Sequence, residues 1–560
     1  MSVLDGNTSD PQTIVDAFAS YFATSYTTSG PDYAIYDTAE QCNNQKFSIQ
    51  TITLHEVKNA IKSLKGTLTA GHDQIPAFLI KDCSFYLAPV ILMIVNLIIV
   101  NSAFPNAWKI AKITPVWKNG AKSDIKNYRP VALLSNFSKI FEIIIHKRLT
   151  TMMATNISVH QHGFVAGRST TTNLMQICQY ISSSLDSGYQ VDVIYTDLSK
   201  AFDSIDHKKL IHKLRYFGFN PPLCELISSY LDNRSFYVLY NGFNSISLPC
   251  PSGVPQGSIL GPLLFIVFIN DLLMSTASPI LAYADDFKIY SIIKTLQDCL
   301  KHQECLDAIN SWCNSNNLTL NASKCKVVRY NRRFTEICHT YTINSFSLET
   351  VPVFKDLGVI FDSGLTFKQN VTSITTSSLK LWGFIMRTCK YFRNRQSFET
   401  LYYSLVRSRL EYASIVWNPY YKVDILCIEK VQRRYLKFMY LKTHREYPTQ
   451  GLEYTVLLTC TKDHSLHFRR LLHGIKFMYN LLHNKIMCDP ILSLLDFSDR
   501  RTSNRKPLIF TNAIARTNTL LKSPIYTMCR NVNFICNDCD IFANDFNVVA
   551  QCFISSTMYI

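Results

Sequence analysis

Residues 281–290 (LAYADDFKIY) set two adjacent acids between two short apolar runs, and that arrangement commits the chain to a local antiparallel geometry. Tyr, Ile and Phe favour strands and Asp favours turns. The spacing therefore predicts strand, acidic turn, strand, with Asp285 and Asp286 at the tip of a hairpin. Two carboxylates so placed can hold a divalent metal ion. An Asp-Asp pair is also good turn chemistry, and the pair alone does not separate the two readings.

At 560 residues, 47% of them hydrophobic, the chain is globular and long enough for more than one domain. Its formal net charge of +16 favours a polyanionic partner, either nucleic acid or an anionic membrane surface. The cysteines follow no regular framework, and residues 1–6 (MSVLDG) lack the basic and apolar regions of a secretion signal. Reduced thiols and an intracellular, non-secreted protein are expected. Residues 85–104 (FYLAPVILMIVNLIIVNSAF) approach membrane-spanning length but carry Pro89, Asn96 and Asn101, so a buried helix and no membrane partner are expected.

Residues 1–45 are polar apart from an apolar patch at 14–22, and read as a lead-in or linker. Leu54, Val57, Ile61 and Leu64 share one helix face. The basic stretch 108–129, with a turn at Gly120, suggests a β-hairpin presenting Lys112, Lys118 and Arg129 to phosphates. Helices are expected at 136–149 and 172–185. Between them lies the glycine-punctuated loop 161–170 (QHGFVAGRST), whose backbone amides suit a phosphate backbone.

A strand over 191–197 ends on Asp197, where a carboxylate faces the crevice in which sheet proteins place ligands. A helix over 221–231 separates it from the acidic hairpin. Residues 253–262 (GVPQGSILGP) put Gly and Pro on both sides of Gln256, permitting close approach of backbone to a ligand. From Ser377 onward the pattern is helical. Cations at Lys380, Arg387, Lys390, Arg393, Arg395, Arg407, Arg409, Arg433, Arg434 and Lys437 are interleaved with Tyr391, Phe392, Tyr402, Tyr403, Tyr412 and Trp417. Phosphates take cations and bases take rings, so a nucleic-acid clamp is expected, against the alternative of a solvated helix face over an aromatic core.

Asp197, Asp285 and Asp286 can converge on two Mg2+ ions if their strands lie side by side, which is the arrangement for phosphoryl transfer. In chain order, Asp197-x-x-x-Ala201-Phe202, Pro255-Gln256-Gly257 and Tyr283-Ala284-Asp285-Asp286 resemble the palm motifs of reverse transcriptases. Residues 127–134 (NYRPVALL), Gly163-Phe164 and 167–170 (GRST) are similar to those of non-LTR (LINE-type) retrotransposon polymerases of the Jockey and CR1 type. Gly71-His72-Asp73, 320–324 (LNASK) and Leu357-Gly358-Val359 extend the resemblance over roughly residues 50 to 440.

The resemblance implies an α+β right-hand polymerase with fingers, a palm built on an antiparallel sheet, a helical thumb and a helical C-terminal extension. The expected division is a lead-in over 1–45, fingers and palm over 46–375 (core about 98–362), a thumb over 376–480, and a C-terminal region of unknown role over 481–560. It implies an RNA-directed DNA polymerase using an RNA template, a DNA primer, dNTPs and two Mg2+ ions, or Mn2+ in their place. A ribonucleoprotein with element RNA, in nucleus and cytoplasm, is also implied. Asp197, Asp285 and Asp286 would be the catalytic, metal-binding acids. Phe202 would crowd a ribose 2′-OH, Gln256 and Gly257 would border the nucleotide, and Arg129 and Lys118 would meet its triphosphate. Lys324 would protonate leaving pyrophosphate, while Tyr283 and Arg168 would contact primer and template.

Three further expectations follow. Complete elements of this type carry an endonuclease that residues 1–45 cannot hold, which favours a truncated chain and leaves a catalytically silent nucleic-acid-binding remnant as the alternative. No zinc is expected, because Cys536 and Cys539 form the one close pair near Cys529 and Cys552, without a suitably spaced His. Phe202 argues against an RNA-dependent RNA polymerase by steric exclusion.

Overall fold

The computed structural model describes residues 2–3, 6–7, 10–26, 47–275, 278–332, 335–498, 508–511, 514–536 and 538–557. At its centre is a five-stranded sheet in the order Glu349–Thr350, Lys326–Tyr330, Gln190–Thr196, Asp286–Ile293, Ile280–Tyr283. All neighbours run antiparallel except the short outer strand Glu349–Thr350. The central strand, Gln190–Thr196, is buried at every position, so it needs cover on both faces.

Alternation sends its side chains to two different cores. Ile194, with Ala282 and Ile289, faces one core shared with the largely apolar helix Leu260–Ser275 and the helix Leu296–Ser315. Val193 and Tyr195, with Leu281 and Tyr290, face a second core that includes the helix Thr170–Asp186. A second sheet builds the fingers. Strands Ile110–Trp117 and Tyr128–Leu133 pair antiparallel, and the first of them runs parallel to Arg234–Tyr240. The basic hairpin is thus present, with Gly120 at φ +78° in its connection.

The structure corrects four expectations. Residues 11–23 are not linker but a helix, Pro11–Ala23, capped by Asp10 and started by Pro11. Its 3.6-residue periodicity puts Ile14, Val15, Phe18, Ala19 and Phe22 under the fingers sheet beside Ile113, Phe236 and Val238.

The long apolar stretch forms the helix Ser84–Asn101, buried on one face only, through Ala88, Ile91, Val95 and Ile98. Tyr86, Val90, Met93, Leu97 and Val100 stand exposed. The helix is long and apolar enough to cross a membrane. Because it is apolar all round, its sequence does not distinguish the covered face from the open one.

The expected border at residue 480 is not a border between cores. Ile428, Leu436 and Met439 of the helix Lys422–His444 share one cluster with Ile475, Met478, Ile525, Met528, Val549 and Phe553. The aromatic residues also divide. Trp417 and Tyr402 are core, the latter stacked on Tyr435 at 3.6 Å, whereas Tyr391 and Phe392 are exposed among cations.

Candidate active site

Thr196 is the last residue of the central strand, and its hydroxyl donates to the Phe287 carbonyl at 2.7 Å, locking the acidic hairpin alongside. Phe287 pairs with Thr196, so Asp286 and Asp197 come next at the same end of adjoining strands. Asp197 is held from the far side as well, its carbonyl accepting from the Asn321 amide at 2.8 Å. In the hairpin, Ala284 and Asp285 form the two-residue turn and Asp286 begins the return strand opposite Tyr283. Ala284 takes φ +58°, the left-handed conformation that a tight turn of this kind demands at its first position.

The three acids crowd one another electrostatically. Burial raises the pKa of Asp285, the Asp197 charge raises it further, and Lys118 opposes both. Asp286 is pushed up to about 6, first by loss of solvation and then by the charges of Asp285, Asp197 and Asp356, against the pull of Lys288. Crowded like charges raise carboxylate pKa values, and a cation among them relieves the repulsion. Among the described residues, no three His, Cys, Asp or Glu side chains form a ready-made metal cage. The donor set is one to three carboxylates beside open space, which fits an ion such as Mg2+ that takes few protein ligands.

The loop 253–257 braces the turn that follows Asp197. Gln256 Nε2 donates to both carboxylate oxygens of Asp203 at 2.7 Å, and its carbonyl accepts from the Ala132 amide at 3.0 Å. The side-chain amide of Gln256 is thus committed to a buried acid, which needs donors of this kind. Burial still pushes Asp203 up to about 6. Gly257, at φ +117°, has no room for a Cβ, which would meet the Ala132 carbonyl at 2.5 Å. His207 contacts the Gly253 carbonyl at 2.8 Å, so Asp203 and His207 both tie the loop to this turn.

Phe202 is half-buried and stacks on Phe265, centroids 4.5 Å apart. Lys118 closes the fingers hairpin through its amide to the Asn127 carbonyl at 2.8 Å, and its charge reaches Asp285. Arg129 is exposed on the partner strand, opposite Val116. Tyr283 is half-buried. Lys324 Nζ lies 3.1 Å from Asp197 Oδ2.

Arg168 spends its guanidinium on backbone carbonyls. Its guanidinium donates to the Ser158 and Gln161 carbonyls at 2.6 and 2.7 Å and toward the Met487 carbonyl at 3.4 Å. It ties the glycine loop to the C-terminal region, because backbone carbonyls in a tight loop need donors that the loop itself lacks.

Two functional-site neighbours escape sequence reasoning. Lys288, inside the acidic strand, is buried and ion-paired with buried Asp356, whose strand Val353–Asp356 forms a hairpin with Val359–Asp362. Asn173, at the first turns of the helix Thr170–Asp186, donates to the Ala282 carbonyl at 3.1 Å. The one signal was a lysine in an otherwise apolar run; its partner lies 68 positions away.

Residues 118–380 match the family described as reverse transcriptase (RNA-dependent DNA polymerase). The chain is 31% identical over 340 residues to the RNA-directed DNA polymerase from mobile element jockey of Drosophila melanogaster, covering 58% of this chain and 37% of that protein. It is 28% identical over 431 residues to the probable RNA-directed DNA polymerase from transposon BS of the same organism, covering 72% and 46%. For the probable polymerase from transposon X-element the figures are 28% over 404 residues, covering 68% and 43%. The chain thus spans less than half the length of these relatives. The matched span holds all three clustered acids, the Gln256 loop, Lys118 and Lys324, and over it residues 118–380 resemble the reverse transcriptase domain of these mobile-element polymerases.

Proposed function

We propose that the chain is an RNA-directed DNA polymerase that extends a DNA primer along an RNA template with dNTPs. The observation that carries this reading is the gathering of Asp197, Asp285 and Asp286 at one end of two adjoining strands, with Lys118 of the fingers within electrostatic reach. The three carboxylates would hold two Mg2+ ions, or Mn2+, which supply charge neutralisation to the attacking and leaving oxygens of an in-line displacement. The primer 3′-OH attacks the α-phosphorus of the dNTP, the bond to the β-phosphate oxygen breaks, and pyrophosphate leaves. Lys118 and Arg129 receive the triphosphate, Lys324 gives a proton to the pyrophosphate, and Tyr283 supports the primer end. Phe202 excludes the ribose 2′-OH by volume.

The exposed Tyr391 and Phe392, set among Lys390 and Arg393, would grip the nucleic-acid duplex in a helical thumb that follows the fingers and palm from about residue 376. Such an enzyme would work as a ribonucleoprotein with its element RNA, in nucleus and cytoplasm. The deciding test is primer extension on an RNA template with Mg2+. Incorporation of dNTPs is expected, with a loss of more than about a thousandfold in Asp285→Ala. A folded, duplex-binding protein that adds no nucleotide sinks the reading, and activity surviving in Asp285→Ala sinks the site.

A further inference from the structure

The acidic turn is not self-supporting. Ala284 is a non-glycine residue at φ +58°, and Asp285 follows it directly, so the direction of that carboxylate depends on what holds the Ala284 peptide. That peptide is held from outside the hairpin. Gln161, buried completely, accepts through Oε1 from the Ala284 amide at 3.0 Å and from the Gly163 amide at 2.8 Å. Two backbone N–H groups converge on one atom of the side chain, so that atom is oxygen and the orientation of the amide is settled.

The rest of the loop is shaped to bring Gln161 there. Gln161 and Ala282 form a parallel β-bridge, in which the His162 amide donates to the Ala282 carbonyl at 2.9 Å and the Ala282 amide donates to the His160 carbonyl at 3.0 Å. Gly163 lies so close that a Cβ would stand 2.4 Å from the Ala284 nitrogen. Arg168 grips the Gln161 carbonyl from behind and links it to Met487. The Nε2 of Gln161 is buried with no partner among the described residues. Burying an amide so incompletely satisfied is costly, which gives weight to what its oxygen does.

We propose that Gln161 is a positioning residue for the proposed polymerase site, fixing the Ala284 peptide so that Asp285 and Asp286 present their carboxylates in register with Asp197. Gln161 touches neither substrate nor metal; it acts through the turn. The assignment rests on the polymerase reading for its consequence in turnover, but not for the contact itself.

The test compares Gln161→Met, which keeps the shape and loses the acceptor, with Gln161→Glu, which keeps the acceptor. Amide exchange across residues 283–286 of the folded protein should speed up at least about tenfold in Gln161→Met and stay near wild type in Gln161→Glu. Mn2+ binding, measured by titration calorimetry, should weaken in Gln161→Met. In primer extension, kcat should fall about ten- to a hundredfold while the dNTP KM and duplex Kd hold within about twofold, with Gln161→Glu recovering most of the rate. If Gln161→Met does not fold, Gln161→Asn withdraws the amide by one methylene and replaces it in the comparison. Unchanged exchange and Mn2+ affinity in a folded acceptor-less variant overturn the proposal. So does an equal loss in Gln161→Glu and Gln161→Asn with a lowered melting temperature, which assigns Gln161 to the fold alone. The exchange and Mn2+ measurements judge Gln161 even if the wild-type chain extends no primer, an outcome that would overturn the polymerase reading instead.

Discussion

Lys324 Nζ sits 3.1 Å from Asp197 Oδ2, so the cation assigned to the departing pyrophosphate rests on an acid assigned to metal. Both partners are partly exposed, and the contact is loose enough to be exchanged. Replacing Lys324 with Met is expected to lower kcat by about a hundredfold through loss of the proton donor. The same change should reduce the Mg2+ concentration needed for half-maximal rate, because Asp197 no longer has a competing cation. Steady-state primer extension across a Mg2+ series separates the two effects, and an unchanged kcat removes Lys324 from the chemistry.

The gate role proposed for Phe202 and its packing on Phe265 can be pulled apart by one substitution. Phe202→Ala is expected to raise ribonucleotide incorporation relative to dNTPs by at least about tenfold, since a volume filter is removed. It should also cost about 2 kcal/mol of stability, because the ring stacked on Phe265 is lost from a half-buried site. Competition between nucleotide types reads the first, and denaturant unfolding the second. An unchanged dNTP preference places the gate at another residue.

Lys288 and Asp356 form a buried pair whose members depend on each other. Lys288→Met alone should destabilise the protein by about 3–5 kcal/mol, because it strands the Asp356 carboxylate. Combining it with Asp356→Leu should restore most of that loss. Urea unfolding of the two single variants and the double variant measures the coupling. Additive losses would show that the pair does not act as a unit.

Buried histidine gives the fold an acid sensitivity. Burial pulls His302 down to about 4 and His162 to about 3, both below the usual histidine range. A base with a depressed folded pKa binds fewer protons folded than unfolded. The stability it allows is complete above about pH 6.5 and drains away as the pH falls toward the folded value. Asp203 has the opposite sign: with its carboxyl near 6, it adds stability as the pH drops from there toward 4. A difference measurement isolates one group. The stability gap between wild type and His302→Gln should narrow steadily from pH 6.5 to 4, and a constant gap would mean that His302 protonates in the folded state.

The acidic hairpin and the Asp197 strand were legible because short-range chemistry specifies them. Strand formers flank a two-residue turn, and Asp197 ends an apolar run. The register that joins them was not legible, since the Phe287 and Thr196 pairing crosses 91 positions. Spacing and residue type pointed to Gln256 and Arg168 but carried no information on where their donors go. A free surface amide and one spent on buried Asp203 look identical in a string of letters. The apolar patch at 14–22 was visible, yet a polar context hid its role until the fingers sheet supplied the opposing face. The face of the Ser84–Asn101 helix that packs inward was hidden for the opposite reason, because every face is apolar.

The helix Thr170–Asp186 is a party wall. One side bears on the strand that carries Asp197, and the other shares its core with Ile525 and Met528 of the helix Pro524–Ile535. Asp186 also accepts from the Thr517 amide at 2.6 Å. Cutting the chain after residue 480 would therefore strip the plaster from the back of the strand that leads into Asp197. A shortened protein of that kind would lose activity by loosening a wall some distance from any nucleotide, and trimming experiments would misread architecture as chemistry.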